Sequence, residues 1–93
     1  IDHAIRYYKQ SVEGRARRFV AMFLTCTPEC VKRLMEAHDD VHIVALRLDR
    51  GVSSDEALAQ KPGVPSGESG LTPTHYIVPG AGGVGEVLNN SFV

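Results

Sequence analysis

Apolar residues at Ile1, Ile5, Tyr8 and Val12 recur with the spacing of one helix face, and predict a helix from Asp2 to Val12 with Asp2 as its N-cap. Gly14 stops it. The run Arg18–Thr25 (R-F-V-A-M-F-L-T) is almost continuously apolar, the signature of a strand buried on both faces of a parallel sheet. Thr27-Pro28-Glu29 then supplies a cap, a proline for the first helical position and an early acid. Val31, Leu34 and Met35 form the buried stripe of a short helix ending near His38-Asp39-Asp40. A second strand is expected at Val41–Leu48 (V-H-I-V-A-L-R-L). The order helix, strand, helix, strand reads as α/β, part of a mostly parallel sheet with flanking helices and a right-handed crossover.

The pattern breaks from Gly51 to Pro73, which holds three prolines and four glycines. A helical turn is expected at Ser54–Gln60 (S-D-E-A-L-A-Q). Loops of this length are functional or disordered, and disorder is expected over Lys61–Gly70. Tyr76-Ile77-Val78 reads as a further strand, ended by Pro79. Behind it, Gly80, Gly82, Gly83 and Gly85 place four of the chain's nine glycines within six positions. Without side chains, main-chain N–H and C=O groups there can approach a bound molecule closely.

Composition narrows the rest. Ninety-three residues make at most one small domain, near the lower limit for independent folding. The first residue is Ile1, and the chain is expected to be a piece of something longer. No apolar run approaches the eighteen or so residues of a membrane span, and no secretory leader opens the chain. Net charge is −1, yet residues 1–33 carry seven of the ten Lys/Arg against three acids. Tyr7 and Tyr8 are adjacent rather than interleaved for base stacking, so the basic half reads as solvated helix face and no nucleic acid is expected. Cys26 and Cys30, with no His pair beside them, lack the four ligands of a closed zinc site and read as buried reduced thiols of a cytoplasmic protein. His3, His38, His42 and His75 share no register and are expected on the surface or behind a site.

Gly80-x-Gly82-x-x-Gly85 satisfies the dinucleotide fingerprint literally, but only eight residues follow Gly85. That leaves no room for the helix, strand and ribose-binding acid the motif needs. A phosphate-binding P-loop fails because no Gly-Lys-Ser/Thr follows.

The order of segments is more specific. Cys26–Ile43 (C-T-P-E-C-V-K-R-L-M-E-A-H-D-D-V-H-I), a strand, then Gly70–Glu86 (G-L-T-P-T-H-Y-I-V-P-G-A-G-G-V-G-E) resembles the C-terminal part of uracil phosphoribosyltransferases. There a helix of the type A-P-E-G-I-x-R-V-x-x-A-H-P-D-V precedes the signature G-Y-I-V-P-G-L-G-D-A-G-D. The resemblance spans nearly the whole chain and is sharpest at Tyr76–Gly80, Gly82 and Gly85, with Glu36-Ala37-His38 as separate support.

It implies a phosphoribosyltransferase-like fold, residues 1–93 being the C-terminal part of one domain with an insertion at about 51–69. It also implies the reaction of uracil with phosphoribosyl pyrophosphate to UMP and pyrophosphate, assisted by Mg2+ whose ligands lie elsewhere, in a homo-oligomer. The uracil contacts implied are Tyr76, Ile77, Gly82, Gly83 and Val84. Uracil presents acceptor, donor, acceptor along one edge, which backbone N–H, C=O and N–H complement. Cytosine would leave buried groups unpaired at about 1–3 kcal/mol each.

Two departures qualify the likeness: the insertion, and Gly83 in place of a family aspartate on the phosphoribosyl pyrophosphate side. The family's phosphate-binding loop would precede Ile1, so these 93 residues alone are expected not to turn over substrate. Two further readings are a non-catalytic nucleotide- or base-binding homologue, which Gly83 permits, and an α/β fragment whose glycine loop is structural.

Overall fold

The computed structural model describes residues 1–63, 66–83 and 88. Its elements run α1 (Asp2–Ser11), β1 (Phe19–Cys26), α2 (Pro28–Ala37), β2 (Val41–Leu48) and α3 (Asp55–Leu58). β1 and β2 pair in parallel, Phe19 opposite Val41 and Cys26 opposite Leu48, with α2 as the crossover. The chain is a small mixed α/β unit built on a two-stranded parallel sheet.

Local chemistry explains each helix. Thr27 caps α2, its hydroxyl accepting from Cys30 N at 3.3 Å, with Pro28 at the first turn. α1 places Asp2 in its first turn and Lys9 in its last, both favourable to the helix dipole. The cap position of α1 belongs to Ile1, not Asp2. The Asp2 carboxylate is instead taken up by partners within α1 and across the α1–α2 contact. It accepts from Arg6 (2.8 Å), Arg33 (3.1 Å) and His38 Nε2 (2.9 Å). His38 is therefore buried, which overturns only the surface half of the expectation for the histidines, and its other ring nitrogen lies 3.4 Å from Lys9 Nζ. Lys9 also pairs with Asp40 at 2.6 Å and sits 5.2 Å from the centre of the Phe19 ring.

This cluster carries an acid sensitivity. Burial raises the Asp2 carboxyl, but the hydrogen bonds from His38, Arg6 and Arg33 outweigh it and hold it near about 2, against 3.8 ordinarily. A depressed carboxyl contributes stability that is complete above its unfolded value and is lost as pH falls through the folded one. Thermal melts should show a loss of stability between pH 4 and about 2 that is smaller in Asp2→Asn, which is already destabilised; what remains belongs to the other depressed carboxyls, Glu29, Asp40 and Glu56.

The core sits on one side of the sheet. Ile5 of α1, Ala21 of β1 and Leu34 of α2 pack together, flanked by Phe19, Phe23, Cys30, Val41 and Ile43. The other side carries Val20, Met22 and Leu24 beside Val44 and Leu46, which are 44–82% exposed. This corrects the expectation of strands buried on both faces. α1 and α2 both lie over the alternate positions, and no described element covers the second face.

Loop 51–70 is held by polar bonds around the buried Ala57 of α3. Arg50 donates to the carbonyls of Ala57, Leu58 and Gln60 at the end of α3, and to Glu68 at 2.9 Å. Ser53 and Ser69 bond reciprocally, Ser53 Oγ to Ser69 O and Ser69 N to Ser53 Oγ. Gly63 N donates to Glu68. Gly63 and Glu68–Gly70 are thus tied in place, against the expectation of disorder across 61–70; positions 64 and 65 lie outside the described residues.

Candidate functional site

Both strands end at one edge, where Thr27 follows β1 and Asp49 follows β2. Asp49 N donates to Cys26 O at 2.7 Å, and Asp49 is 1% exposed. The outer ends of parallel strands are where α/β proteins place ligands, because side chains and loops there converge without being consumed by the sheet. Two later segments dock on this edge.

The first is a hairpin from Gly70 to Val78. Val78 N donates to Gly70 O (2.8 Å), Thr72 N to Tyr76 O (2.9 Å) and His75 N to Thr72 O (2.8 Å), with Leu71 and Ile77 facing each other. Thr72 Oγ1 accepts from Tyr76 N at 3.0 Å and braces the turn. Tyr76-Ile77-Val78 is therefore not a strand of the parallel sheet, which corrects the reading of that run. Its backbone bonds go to the Leu71 arm and, through Val78 O, to Gly51 N at 2.9 Å.

Gly70 anchors the hairpin against the strand end. A Cβ there would lie 1.9 Å from Asp49 O and 3.1 Å from the Thr27 Cβ, so a side chain has no room. Its N–H donates to Glu29 at 3.0 Å, and Ser69 Oγ donates to the same carboxylate at 2.6 Å. Burial raises the Glu29 carboxyl, yet the bonds from Ser69, from main-chain N–H groups and from Thr27 bring it below the ordinary value. Glu29 stays ionised and holds Ser69 and Gly70 onto α2.

The second segment is the glycine loop. Asp49 accepts from Arg47 in a two-pronged ion pair, and its Oδ2 also accepts from Gly80 N at 3.0 Å. Arg47 Nη2 in turn donates to Gly80 O at 2.9 Å. One ion pair thus grips both the N–H and the C=O of Gly80. Gly80 has φ +67°, and a Cβ would lie 2.7 Å from Ile77 O. Gly82 also has positive φ, +71°, and no atom of the described residues within 4 Å of where its Cβ would be.

Of the residues implied by the resemblance, Tyr76, Ile77, Gly82 and Gly83 fall on this hairpin and loop; Val84 lies outside the described residues. Tyr76 is 71% and Ile77 42% exposed. As a pair without direct hydrogen bonds between them, Leu71 and Ile77 leave the main-chain N–H and C=O of Ile77 without a partner among the described residues. Such groups, with bare glycine backbone beside them, can hydrogen-bond the edge of a small planar molecule.

Burial raises both the Cys26 and Cys30 thiols, which disfavours their thiolates. Among the described residues no group of three or more His, Cys, Asp or Glu could hold a metal ion. No helix among them is long and apolar enough to cross a membrane.

Residue patterns did not single out Arg47, Asp49, Glu29 and Gly70. The available signal was position: Asp49 follows β2 directly, at the edge where sites form. Compared with protein-family models, curated proteins and solved structures, the chain gives no match.

Proposed function

We propose that this chain is the uracil-binding C-terminal segment of a phosphoribosyltransferase-like domain that converts uracil and phosphoribosyl pyrophosphate to UMP and pyrophosphate. The observation that carries it is the convergence of Ile77, whose main-chain groups have no partner among the described residues, and the Gly80–Gly83 loop at the outer edge of two parallel strands. The order of β1, α2 and β2 before that loop matches the order in the resembled family. Phosphates and metal would be held by residues other than those described, so the contribution of this segment is to select and orient the base.

The second reading, a non-catalytic base-binding homologue, is favoured by Gly83, which offers no carboxylate where the family has one. Calorimetric titration of the full-length protein with uracil and UMP, paired with an assay of UMP formation, separates the two. The enzyme reading expects binding with turnover, and Gly83→Asp should raise that turnover. Binding without turnover in either form selects the second reading, and no binding defeats both.

A further inference from the structure

The Arg47–Asp49 pair does more than close the end of β2. Asp49 is fully enclosed, while the Arg47 side chain is half exposed, an asymmetry that suits a bracket facing outward from a fixed base. Three of its hydrogen bonds converge on one residue or on the pair itself. Asp49 Oδ2 takes Gly80 N–H, Arg47 Nη2 takes Gly80 C=O, and Arg47 Nη2 reaches back to Asp49 Oδ2 at 3.2 Å. Gly80 is the pivot between the hairpin and the glycine loop. Holding both of its polar groups fixes the direction in which the chain leaves the hairpin.

We infer that Arg47 and Asp49 are positioning residues for base recognition, which rests on the reading proposed above. They touch no base themselves. They preset the main chain of Ile77 and of Gly80–Gly83, so that the ordering of a glycine-rich loop is not charged against binding. Glycine loses more conformational freedom than any other residue when fixed, so a loop of this composition gains most from such a bracket. The ligand class is the one proposed above, a pyrimidine with an acceptor–donor–acceptor edge, and its affinity then depends on residues that never contact it.

The test uses Arg47→Gln, at a half-exposed position, and Asp49→Asn, with two readouts in the full-length protein. One is uracil affinity by calorimetry. The other is amide hydrogen exchange at Gly80, Gly82 and Gly83, with Leu34 as a core reference. The expected result is about a tenfold rise in Kd for uracil and faster exchange in the loop, with Leu34 unchanged in Arg47→Gln. Should Asp49→Asn fail to fold, Arg47→Gln alone decides. Wild-type protein that binds uracil, with variants that bind equally well, overturns the positioning role and leaves the base-reading function standing. Wild-type protein that binds no uracil overturns the base-reading function, and the positioning role with it.

Discussion

Replacing Gly70 by alanine lowers stability by about 3 kcal/mol or more, the upper range for overpacking a close-packed site. The added methyl would sit 1.9 Å from the Asp49 carbonyl oxygen, which belongs to the end of β2 and cannot swing aside like a side chain. Relief requires the hairpin to lift from the strand end. That movement breaks Gly70 N–H to Glu29 and strains Val78 N–H to Gly70 O. Gly14 is the control: its φ is +97° but no atom lies within 4 Å of its would-be Cβ, so Gly14→Ala costs only the backbone term, about 1–2 kcal/mol. Denaturant midpoints of the two variants should separate contact from conformation. Equal losses would mean that the hairpin does not rest on Asp49 as described.

The second large effect belongs to Asp49→Ala. It removes a fully enclosed carboxylate, two bonds from Arg47 and the acceptor of Gly80 N–H. The half-exposed Arg47 returns to water, so the cost falls on the lost charge-assisted bonds and the stranded Gly80 amide, about 3 kcal/mol in all. For a domain of this size that is about 12–24 °C in Tm. A shift of only a few degrees, within the range of ordinary surface substitutions, would contradict the role of Asp49 as the hub of this edge.

The local elements were legible because short-range signals agree. The Ile1/Ile5/Tyr8 spacing, the Thr27-Pro28-Glu29 cap and the two apolar runs each point to what forms. Two errors share one origin: apolar content says that a residue wants cover, not what covers it. Val20, Met22, Leu24, Val44 and Leu46 read as buried because they are apolar, yet both long helices pack on the opposite face. Tyr76-Ile77-Val78 reads as a sheet strand for the same reason, although its bonds go to Leu71's arm of a hairpin.

The candidate site was legible in part. Glycines announce close backbone approach wherever they stand, so the loop was visible from composition. The groups that hold it were not. Asp49 and Gly80 are 31 residues apart, Glu29 and Gly70 are 41 apart, and no spacing rule links them. The burial of His38 is hidden from the sequence for the same reason, since its partner Asp2 lies 36 residues away.

We propose that main-chain atoms of Ile77 and the glycine loop read a uracil edge, and an amide-resolved NMR titration of the full-length protein with uracil and, separately, with cytosine tests it. Saturable shifts are expected at Ile77, Gly82 and Gly83 with uracil, and binding at least about tenfold weaker with cytosine, whose edge would leave buried groups unpaired. Equal response to both bases, or shifts confined to residues away from this loop, would contradict it.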